Sequence, residues 1–544
     1  MKPNKIERLK ATCPPYDFKQ CLFALDLTAL SEEDRFYLKN YGIYNSKLSS
    51  DRFMLRIRLL GGRVSVDALE ALADMMKQFN LEMILTARAQ IELHGLVASN
   101  VWEVWQRLEA EGLTTLQTLT DNFRNIVCDP YDGLTPHSPI TVYPLMEQMQ
   151  KLFLDQREWM GMLPRKFNTA ICGTTHTPYH FYSNDLLFAI AQKEQQWGFN
   201  LYLGGKNSEV AQDADIFVAP HEVVALFEAV AKAYVRYGLR GTRAKTRLFH
   251  LLEAKGMAWF RTKVALLYGK PLQSAGTLQH TKVPFGRCTP LKQGYGHVVE
   301  SYFGSVSLAQ LERVVAYAND HTCTVRIGID QNLHLVGVST PKTPFPKQEG
   351  ASHITACAGS RYCALSLWDI KAETAYLPLQ KIEAHQIQVG FSGCLKGCGR
   401  HHHCDIGLVG LRTNAFGPTQ KAARLFLGGE YSRGKAPARL IFPSVPLKHL
   451  RGLLDVIIET YLKSGAADFE CFSRDYLNGH TPYFVMLWFV AQCYLKTPPP
   501  LTKESEAVLY ERLKACEDFP KDEGEEPYID AIKTMTHALW DNNV

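Results

Sequence analysis

The chain has 544 residues, of which 46% are hydrophobic and 21% are charged, and its formal net charge is +5. Such a composition excludes a largely disordered chain, and the length exceeds one hydrophobic core, so we expect about three domains. The charge is low for a nucleic-acid-binding protein, but a mildly basic balance suits a protein that holds anionic ligands.

The N-terminal segment and the longest apolar stretch predict neither export nor membrane insertion. Met1–Phe18 is polar and has no apolar core of a secretory signal. Pro482–Leu495 is too short to cross a bilayer and is typical of a buried helix. We therefore expect a cytoplasmic protein, in which the fourteen cysteines stay reduced and any clustered ones are candidate metal ligands.

The first predicted elements belong to an internal repeat of Met54–Leu96 by Gly296–Val338. Aligned without a gap, Gly62 falls on Gly304, Ser65 on Ser307 and Gly95 on Gly337. Each copy predicts a strand, a glycine turn, a helix that begins after the serine, and two further strands.

A second repeat follows further along the chain. Leu201–Gly205 is matched by Leu425–Gly429, and each is followed by an apolar strand that ends in proline and by a long helix. Residues 140–160 and 221–268 are also predicted to be helical, and the tail beyond Pro498 is predicted to be a peripheral extension with a final amphipathic helix. The chain therefore consists of two related halves, whose junction is a favoured place for a ligand.

Four cysteines form the strongest local pattern, as Cys357 and Cys363 followed by Cys394 and Cys398. Four thiolates among small residues suit a cubane iron–sulfur cluster. The spacing leaves open a structural zinc site, although the first pair is wide for zinc, and it leaves open four unrelated core cysteines. The adjacent His401, His402 and His403 are interpreted as local structure, because consecutive histidines rarely converge on one metal.

Basic residues recur in short motifs that precede the cysteines. Any one of these arginines would by itself be read as a surface residue. On a strand, Arg56 and Arg58 would share a face, as would Lys166 and Asn168. The motifs are Met54–Gly62, Thr86–Arg88, Asp121–Asn125, Leu163–Asn168 and the run Arg240, Arg243, Lys245, Arg247.

Together with Arg400–His402 and Asp405–Leu408, these motifs and the quartet resemble the siroheme-dependent nitrite and sulfite reductases. The resemblance extends from about Gly42 to about Phe472 and implies an α+β fold with pseudo-twofold duplication. It predicts an N-terminal segment with a first ferredoxin-like half-domain (1–115), a first siroheme-binding α/β domain (116–285), a second half-domain (286–345), a cluster- and siroheme-binding α/β domain (346–480) and a C-terminal helical extension (481–544).

The resemblance also implies roles for individual residues. A [4Fe-4S] cluster would be ligated by Cys357, Cys363, Cys394 and Cys398, and Cys398 would bridge to the siroheme iron. The anion pocket would be formed by Arg56, Arg124, Lys166 and Asn168. The remaining implied contacts with the cofactor are those of Arg58, Arg88, Asn125, Arg243 and Arg247.

One departure from the family pattern lies inside the second cysteine pair. Leu395 and Lys396 occupy the places where the family has Pro and Asn. Oxygenases of the cobalamin pathway are similar at this point and remain an alternative, against which the set of Arg56, Arg124 and Lys166 argues. A non-catalytic, zinc-stabilised binding protein is the third hypothesis.

The expected activity is the six-electron reduction of nitrite to ammonia, and the alternative is the six-electron reduction of sulfite to sulfide. A neutral amide at Asn168 favours monovalent nitrite, whereas a second ammonium group would suit dianionic sulfite. No Gly-x-Gly-x-x-Gly motif for a flavin or a nicotinamide is present. We therefore expect ferredoxin as the electron donor, with a separate flavoprotein subunit as the alternative.

Overall fold

The structure is a computed structural model that describes residues 3–348, 350–520 and 526–541. Its internal contacts divide the chain into unit 1, Met1–Lys347, and unit 2, Gln348–Val544. The five-part division made from the sequence is finer than this and stays a prediction. Part of the predicted C-terminal extension, residues 521–525 and 542–544, lies outside the described residues.

Unit 1 contains short strands and helices in a mixed order. Its strands are β1 (Ile43–Ser46), β2 (Ser49–Ile57), β3 (Arg63–Val64), β4 (Glu82–Leu85), β5 (Ile91–Leu96), β6 (Phe123–Val127), β7 (Phe167–Cys172), β8 (His176–Thr177), β9 (Leu186–Lys193), β10 (Gln196–Leu203), β11 (Gln212–Val218), β12 (Thr277–Leu278), β13 (Thr281–Lys282), β14 (Cys288–Pro290), β15 (Tyr295–Val299), β16 (Ser305–Val306), β17 (Thr324–Ile327) and β18 (Leu333–Val338). Its helices are α1 (Lys5–Thr12), α2 (Glu32–Leu38), α3 (Val66–Phe79), α4 (Val101–Ala110), α5 (Tyr143–Phe153), α6 (Val223–Tyr237), α7 (Leu248–Lys255), α8 (Met257–Tyr268) and α9 (Leu308–Asp320).

The first repeat folds into two matching half-domains that exchange a strand. One sheet has the order β1-β2-β5-β4-β16 and the other has the order β14-β15-β18-β17-β3, so β3 and β16 each complete the sheet of the other copy. Ser65 and Ser307 cap α3 and α9 by accepting the N–H groups of Ala68 and Gln310, both at 3.2 Å. The predicted strand–turn–helix–strand–strand repeat is therefore confirmed.

The second repeat forms one mixed sheet in each unit. In unit 1 the order is β6-β7-β9-β10-β11, in which the pairs β6–β7 and β7–β9 are parallel and the pairs β9–β10 and β10–β11 are antiparallel. Unit 2 repeats that order and those directions in β19 (Ile354–Ala356), β20 (Val389–Ser392), β21 (Ile406–Thr413), β22 (Gln420–Leu427) and β23 (Arg439–Pro446). The predicted α+β fold with duplicated halves is confirmed.

The helices differ from the sequence prediction in two places. The segment predicted as one helical stretch, 221–268, contains three helices, because the chain leaves α6 at Gly238 and turns at Gly256, where φ is 82°. The stretch 140–160 is helical only in α5.

The tail of unit 2 is more closely packed than the prediction of a peripheral extension implied. The helices of unit 2 are α10 (Leu379–Ala384), α11 (Leu447–Lys463), α12 (Phe469–Phe472), α13 (Pro482–Tyr494), α14 (Glu506–Lys514) and α15 (Pro527–Trp540), of which the last two belong to the tail. Trp540 of α15 is 3% exposed and contacts Phe416 and Phe442, so burial of this large ring holds α15 against the rest of unit 2. Within the described residues, no helix combines the length and the apolar character that a membrane crossing requires.

Candidate functional site

Arg56 lies on β2, where the strand register places it directly opposite Glu92 on β5. Its Nη2 atom pairs with Oε1 of Glu92, whose other oxygen lies 3.0 Å from Nε2 of His94. Burial alone would raise the pKa of Glu92, but the charge of Arg56 and the contact with His94 hold that pKa at about 2. A predicted pocket cation is thus paired with a carboxylate that stays ionised.

Arg124 lies on β6 and is 6% exposed. Its guanidinium donates to the carbonyl oxygens of Thr118 and, at 3.0 Å, of Thr120. Burial, followed by the positive charges of Arg88, Arg56 and Arg165, lowers the pKa of Arg124 well below its ordinary value. The structure therefore brings three of the predicted arginines together, and adds Arg165.

Asn125 connects the predicted motifs through the backbone. Its Nδ2 atom donates to the carbonyl oxygens of Leu59 at 2.5 Å and Arg88 at 3.0 Å, so the loop that carries Arg88 is held against β6. Arg88 lies in the turn between β4 and β5. There the Thr86 hydroxyl accepts a hydrogen bond from the backbone N–H of Arg88 at 3.3 Å.

Arg58 has different surroundings from Arg56. The strand β2 ends at Ile57, and the Arg58 guanidinium donates to four carbonyl oxygens, those of Leu116, Gln117, Phe123 and Arg124, at 2.7–3.2 Å. Burial lowers the pKa of Arg58 to about 9. These contacts brace the loop before β6, and the assignment of Arg58 to the cofactor stays a prediction that they do not support.

Lys166 and Asn168 stand at the beginning of β7, next to a buried acid. Asp185 accepts the backbone N–H of Asn168 at 2.7 Å and is bound by Arg247 through two contacts, at 2.9 and 2.7 Å. Lys166 is near enough to act on the charge of Asp185. The predicted residue Arg247 is therefore engaged with this carboxylate.

Asp121 is a second buried acid and collects three cations. Arg243 binds it through two contacts of 2.7 Å, Lys10 approaches to 2.9 Å, and Arg165 lies at 3.4 Å. Burial raises the pKa of Asp121, but these cations, led by Lys10, bring it below its ordinary value. Arg243 is thus tied to the segment that carries Arg124.

Sequence reasoning missed Lys10. It lies on α1, is 2% exposed, and uses its ammonium group on Glu7 at 2.8 Å, on Asp121 and on the Leu163 carbonyl at 2.7 Å. The only sequence signal was an acid–base pair three residues apart on a short helix, which is also typical of a solvent-exposed face.

In unit 2 the cysteine loops leave the same edge of the sheet. Cys357 follows β19 and Cys394 follows β20, and these neighbouring strands are parallel, with Ala356 opposite Phe391. The carboxyl ends of parallel strands meet at one edge, so two loops far apart in sequence are brought together there. Gly393 donates its N–H group to the Cys357 sulfur at 3.1 Å, and a Cβ atom at this glycine would lie 1.7 Å from the Ser366 hydroxyl.

Cys398 is close enough to act electrostatically on both Cys357 and Cys363, and Cys394 is close enough to act on Cys363. Burial and then the neighbouring Cys398 raise the pKa of Cys357 to about 12. Burial also raises the pKa of Cys363, with smaller contributions from Cys398 and Cys394. Across the described ranges, no three His, Cys, Asp or Glu side chains are arranged to hold a metal ion as they stand. The quartet is therefore gathered, but not in coordinating geometry.

His401 supports the loop of the last two cysteines. Its Nδ1 atom lies 2.9 Å from the Ser392 hydroxyl, which also accepts the Gly399 N–H at 3.0 Å. Burial lowers the pKa of His401 to about 3, so the ring is neutral. The interpretation of this histidine as local structure agrees with these contacts.

The donor sets fit the groups that the sequence predicts. Four thiols near backbone N–H donors suit an iron–sulfur cluster, whose sulfur atoms accept such hydrogen bonds. In unit 1, buried polar atoms without a hydrogen-bond partner among the described residues include Arg56 Nε, Arg124 Nε, Asn125 Oδ1 and Asn168 Oδ1. Buried polar groups normally have a partner, which ordered water or a ligand can supply at this site.

Two family models match adjacent stretches of unit 1. The nitrite/sulfite reductase ferredoxin-like half domain matches residues 47–111, and the nitrite and sulphite reductase 4Fe-4S domain matches residues 119–272. The chain belongs to the nitrite and sulphite reductase family. It is therefore an oxidoreductase of this family, and membership of a 4Fe-4S domain family implies an iron–sulfur cluster.

Curated members of the family are similar over most of their length. The ferredoxin–nitrite reductase of Leptolyngbya laminosa is 27% identical over 84% of this chain and 97% of that protein. The enzyme of the same name from Synechococcus elongatus is 29% identical over 79% of this chain and 91% of that protein. The chloroplastic ferredoxin–nitrite reductase of Zea mays is 26% identical over 80% of this chain.

A solved structure supports the family fold. The NirA protein of Mycobacterium tuberculosis superposes with a TM-score of 0.79 over 87% of this chain and 96% of that one, at 22% identity. The residues matched by the 4Fe-4S domain model contain Cys128 and Cys172, both buried, and none of the quartet. The ligand assignment to the quartet is therefore a proposal.

Proposed function

We propose that this chain reduces nitrite to ammonia with six electrons, using a siroheme coupled to a [4Fe-4S] cluster. The observation that carries the proposal is the placement of Arg56, Arg88 and Arg165 in unit 1, each within electrostatic range of the buried Arg124. Relatives named ferredoxin–nitrite reductase support nitrite as the substrate.

Clustered guanidinium groups have a chemical purpose in such a reaction. Each electron delivered to a bound oxyanion adds negative charge, which fixed cations stabilise best when they are positioned in advance and shielded from water. The buried Arg124 is held by two backbone carbonyls, so it does not have to reorganise as the charge grows.

The neutral amide of Asn168 supports nitrite over sulfite. Asn168 is 3% exposed, its backbone is fixed by Asp185, and its Oδ1 atom has no hydrogen-bond partner among the described residues. An ammonium group in that place would strengthen the attraction for a dianion more than for a monoanion.

The cofactors are proposed to be held by two sets of residues. Cys357, Cys363, Cys394 and Cys398 would hold the cluster, and Cys398, the most exposed thiol of the four, would also ligate the siroheme iron. The siroheme carboxylates would be bound by Arg88, Arg243 and Arg247, the last two of which would have to contact them in addition to Asp121 and Asp185. Asn125 would act indirectly by holding the loop of Arg88, because its Nδ2 atom already donates to backbone carbonyl oxygens and its Oδ1 atom can only accept. Bound siroheme supplies the iron at which electrons reach the substrate.

The electron donor is proposed to be ferredoxin. The names of several relatives include this donor. A small acidic protein would be attracted by a chain whose formal net charge is +5. A separate flavoprotein subunit is the alternative, and it would co-purify with the active enzyme.

Protein purified without oxygen provides the test. We expect an absorption spectrum with a Soret band and a strong red band, about five iron atoms for every four acid-labile sulfides, and a higher specificity constant for nitrite than for sulfite with reduced methyl viologen. A higher specificity constant for sulfite would contradict nitrite reduction and favour the alternative activity, the reduction of sulfite to sulfide. Colourless protein that contains zinc and no iron would contradict both activities.

A further inference from the structure

Glu92 is an acidic group in direct contact with Arg56, one of the arginines proposed to bind the anion. It lies opposite Arg56 across β2 and β5, and its two carboxylate oxygens meet Arg56 and His94. The side chains of Arg56 and Glu92 are 14% and 10% exposed, so the pair is largely shielded from water.

This carboxylate is a permanent negative charge. Although burial opposes its ionisation, the charge of Arg56 and the contact with His94 keep the pKa of Glu92 at about 2. Arg56 in turn contributes to the positive field at Arg124. The charge of Glu92 therefore offsets part of that field next to the proposed substrate.

We propose that Glu92 is a positioning and specificity-determining residue, which fixes the Arg56 guanidinium and weakens the binding of dianions relative to monoanions. This inference rests on the proposed function. Glu92 acts on Arg56 directly, whereas the acid that contacts Arg165 is Asp121.

The physical reason is the dependence of Coulomb energy on the product of the charges. A carboxylate near the anion repels a dianion twice as strongly as a monoanion at the same distance. Removing its charge while keeping its shape should therefore benefit sulfite more than nitrite. A role confined to sheet stability would affect both anions equally.

The test uses Glu92→Gln in the cofactor-loaded enzyme at pH 8, where sulfite is mainly a dianion. Dissociation constants for nitrite and sulfite are measured from the change in siroheme absorption, without turnover. We expect binding to tighten by roughly tenfold for nitrite and by roughly a hundredfold for sulfite. Equal changes for the two anions, or no change, would overturn the proposal.

A second variant tests the positioning role and serves if Glu92→Gln does not fold. Glu92→Asp keeps the charge but withdraws it from Arg56 by one methylene group, so we expect kcat for nitrite to fall about tenfold while the ratio of the two dissociation constants is retained. An unchanged kcat would contradict the positioning role.

Two controls separate this inference from the proposed function. Glu70→Gln makes the same charge change at an exposed position on α3 and should leave both dissociation constants unchanged. If the unmodified enzyme shows no absorption change with either anion and no turnover, the proposed function itself fails. If it binds both anions and the Glu92 variants behave like it, only the inference fails.

Discussion

Arginines in similar sequence motifs have different surroundings in this protein. The Arg58 guanidinium donates to four carbonyl oxygens, which leaves it committed to the backbone. Arg124 donates to two, and its Nε atom has no partner among the described residues. The number of backbone acceptors around each side chain, which the motif does not encode, separates a bracing arginine from one available to a ligand.

The identity of residue 168 should set the preference between the two substrates. We expect Asn168→Lys to lower the ratio of the specificity constants for nitrite and sulfite by about tenfold, because the added charge attracts the dianion more strongly. Steady-state assays with reduced methyl viologen measure the ratio. Asn168→Met introduces a side chain that is similar in length to lysine but uncharged, and it should leave the ratio of the specificity constants within about twofold of the original. An equal shift of this ratio in both variants would refute the role of charge.

The cysteines of unit 2 should differ in their effect on the iron content. Cys394→Ala removes a proposed ligand, and we expect loss of most iron and acid-labile sulfide together with the cluster absorption. Cys404→Ala alters a neighbouring thiol that is 3% exposed and outside the quartet, so it should retain both. Iron retained in the first variant, or lost in both, would contradict the ligand assignment.

At the scale of elements, the half-domains are joined by exchanged strands. The short β3 pairs with β17, with Val64 opposite Val325, and β16 pairs with β4, with Val306 opposite Met83. Each exchange requires the chain to turn sharply just before the strand, at Gly62 and at Gly304, where φ is 74° and 87°. The repeated glycines of the sequence therefore mark the crossing points between the two copies.

Substitution at one of these turns should be strongly destabilising. In Gly62→Ala the new Cβ would lie 1.9 Å from the Ile327 carbonyl oxygen, so we expect a loss of about 3 kcal/mol in the free energy of unfolding. Gly112→Ala has a similar φ of 71° but no atom within 4 Å, so about 1 kcal/mol should be lost. Urea denaturation compares them, and equal losses would mean that the close approach at β17 is unimportant.

The helix α1 should contribute to the stability of the cationic region. Lys10→Met leaves Asp121 and Glu7 buried with one cation fewer, and we expect a loss of about 3 kcal/mol in the free energy of unfolding. Lys5→Met changes an exposed lysine of the same helix, whose side chain is 57% exposed, and should alter stability by less than about 0.5 kcal/mol. A small effect in both variants would show that α1 is not required.

At the scale of the whole molecule, one mixed-sheet topology is used twice with different residues at its ends. In unit 2 the parallel strands β19 and β20 lead into the cysteine loops. In unit 1 the corresponding strand β6 leads into Cys128, which is buried, and carries Arg124. The same scaffold therefore carries different residues at corresponding strand ends, and chemistry depends on those residues and not on the scaffold.

The net positive charge should make turnover with ferredoxin depend on salt. We expect the rate with reduced ferredoxin to fall at least fivefold when the ionic strength rises from about 0.05 M to about 0.5 M, because salt screens the attraction between the proteins. Reduced methyl viologen, a small cation, serves as the control donor and should support an unchanged rate. A rate with ferredoxin that ignores salt would favour the alternative donor.

The sequence by itself determined the duplicated α+β fold, the family and the candidate residues, because strand alternation, turn glycines and cysteine spacing are local patterns that read directly from the chain. Only the tertiary structure decided that Arg58 braces a loop, that Lys10 reaches Asp121, and that Glu92 pairs with Arg56. These contacts join residues that are distant along the chain. Strand register and burial create them, and neither is encoded in the spacing of a motif.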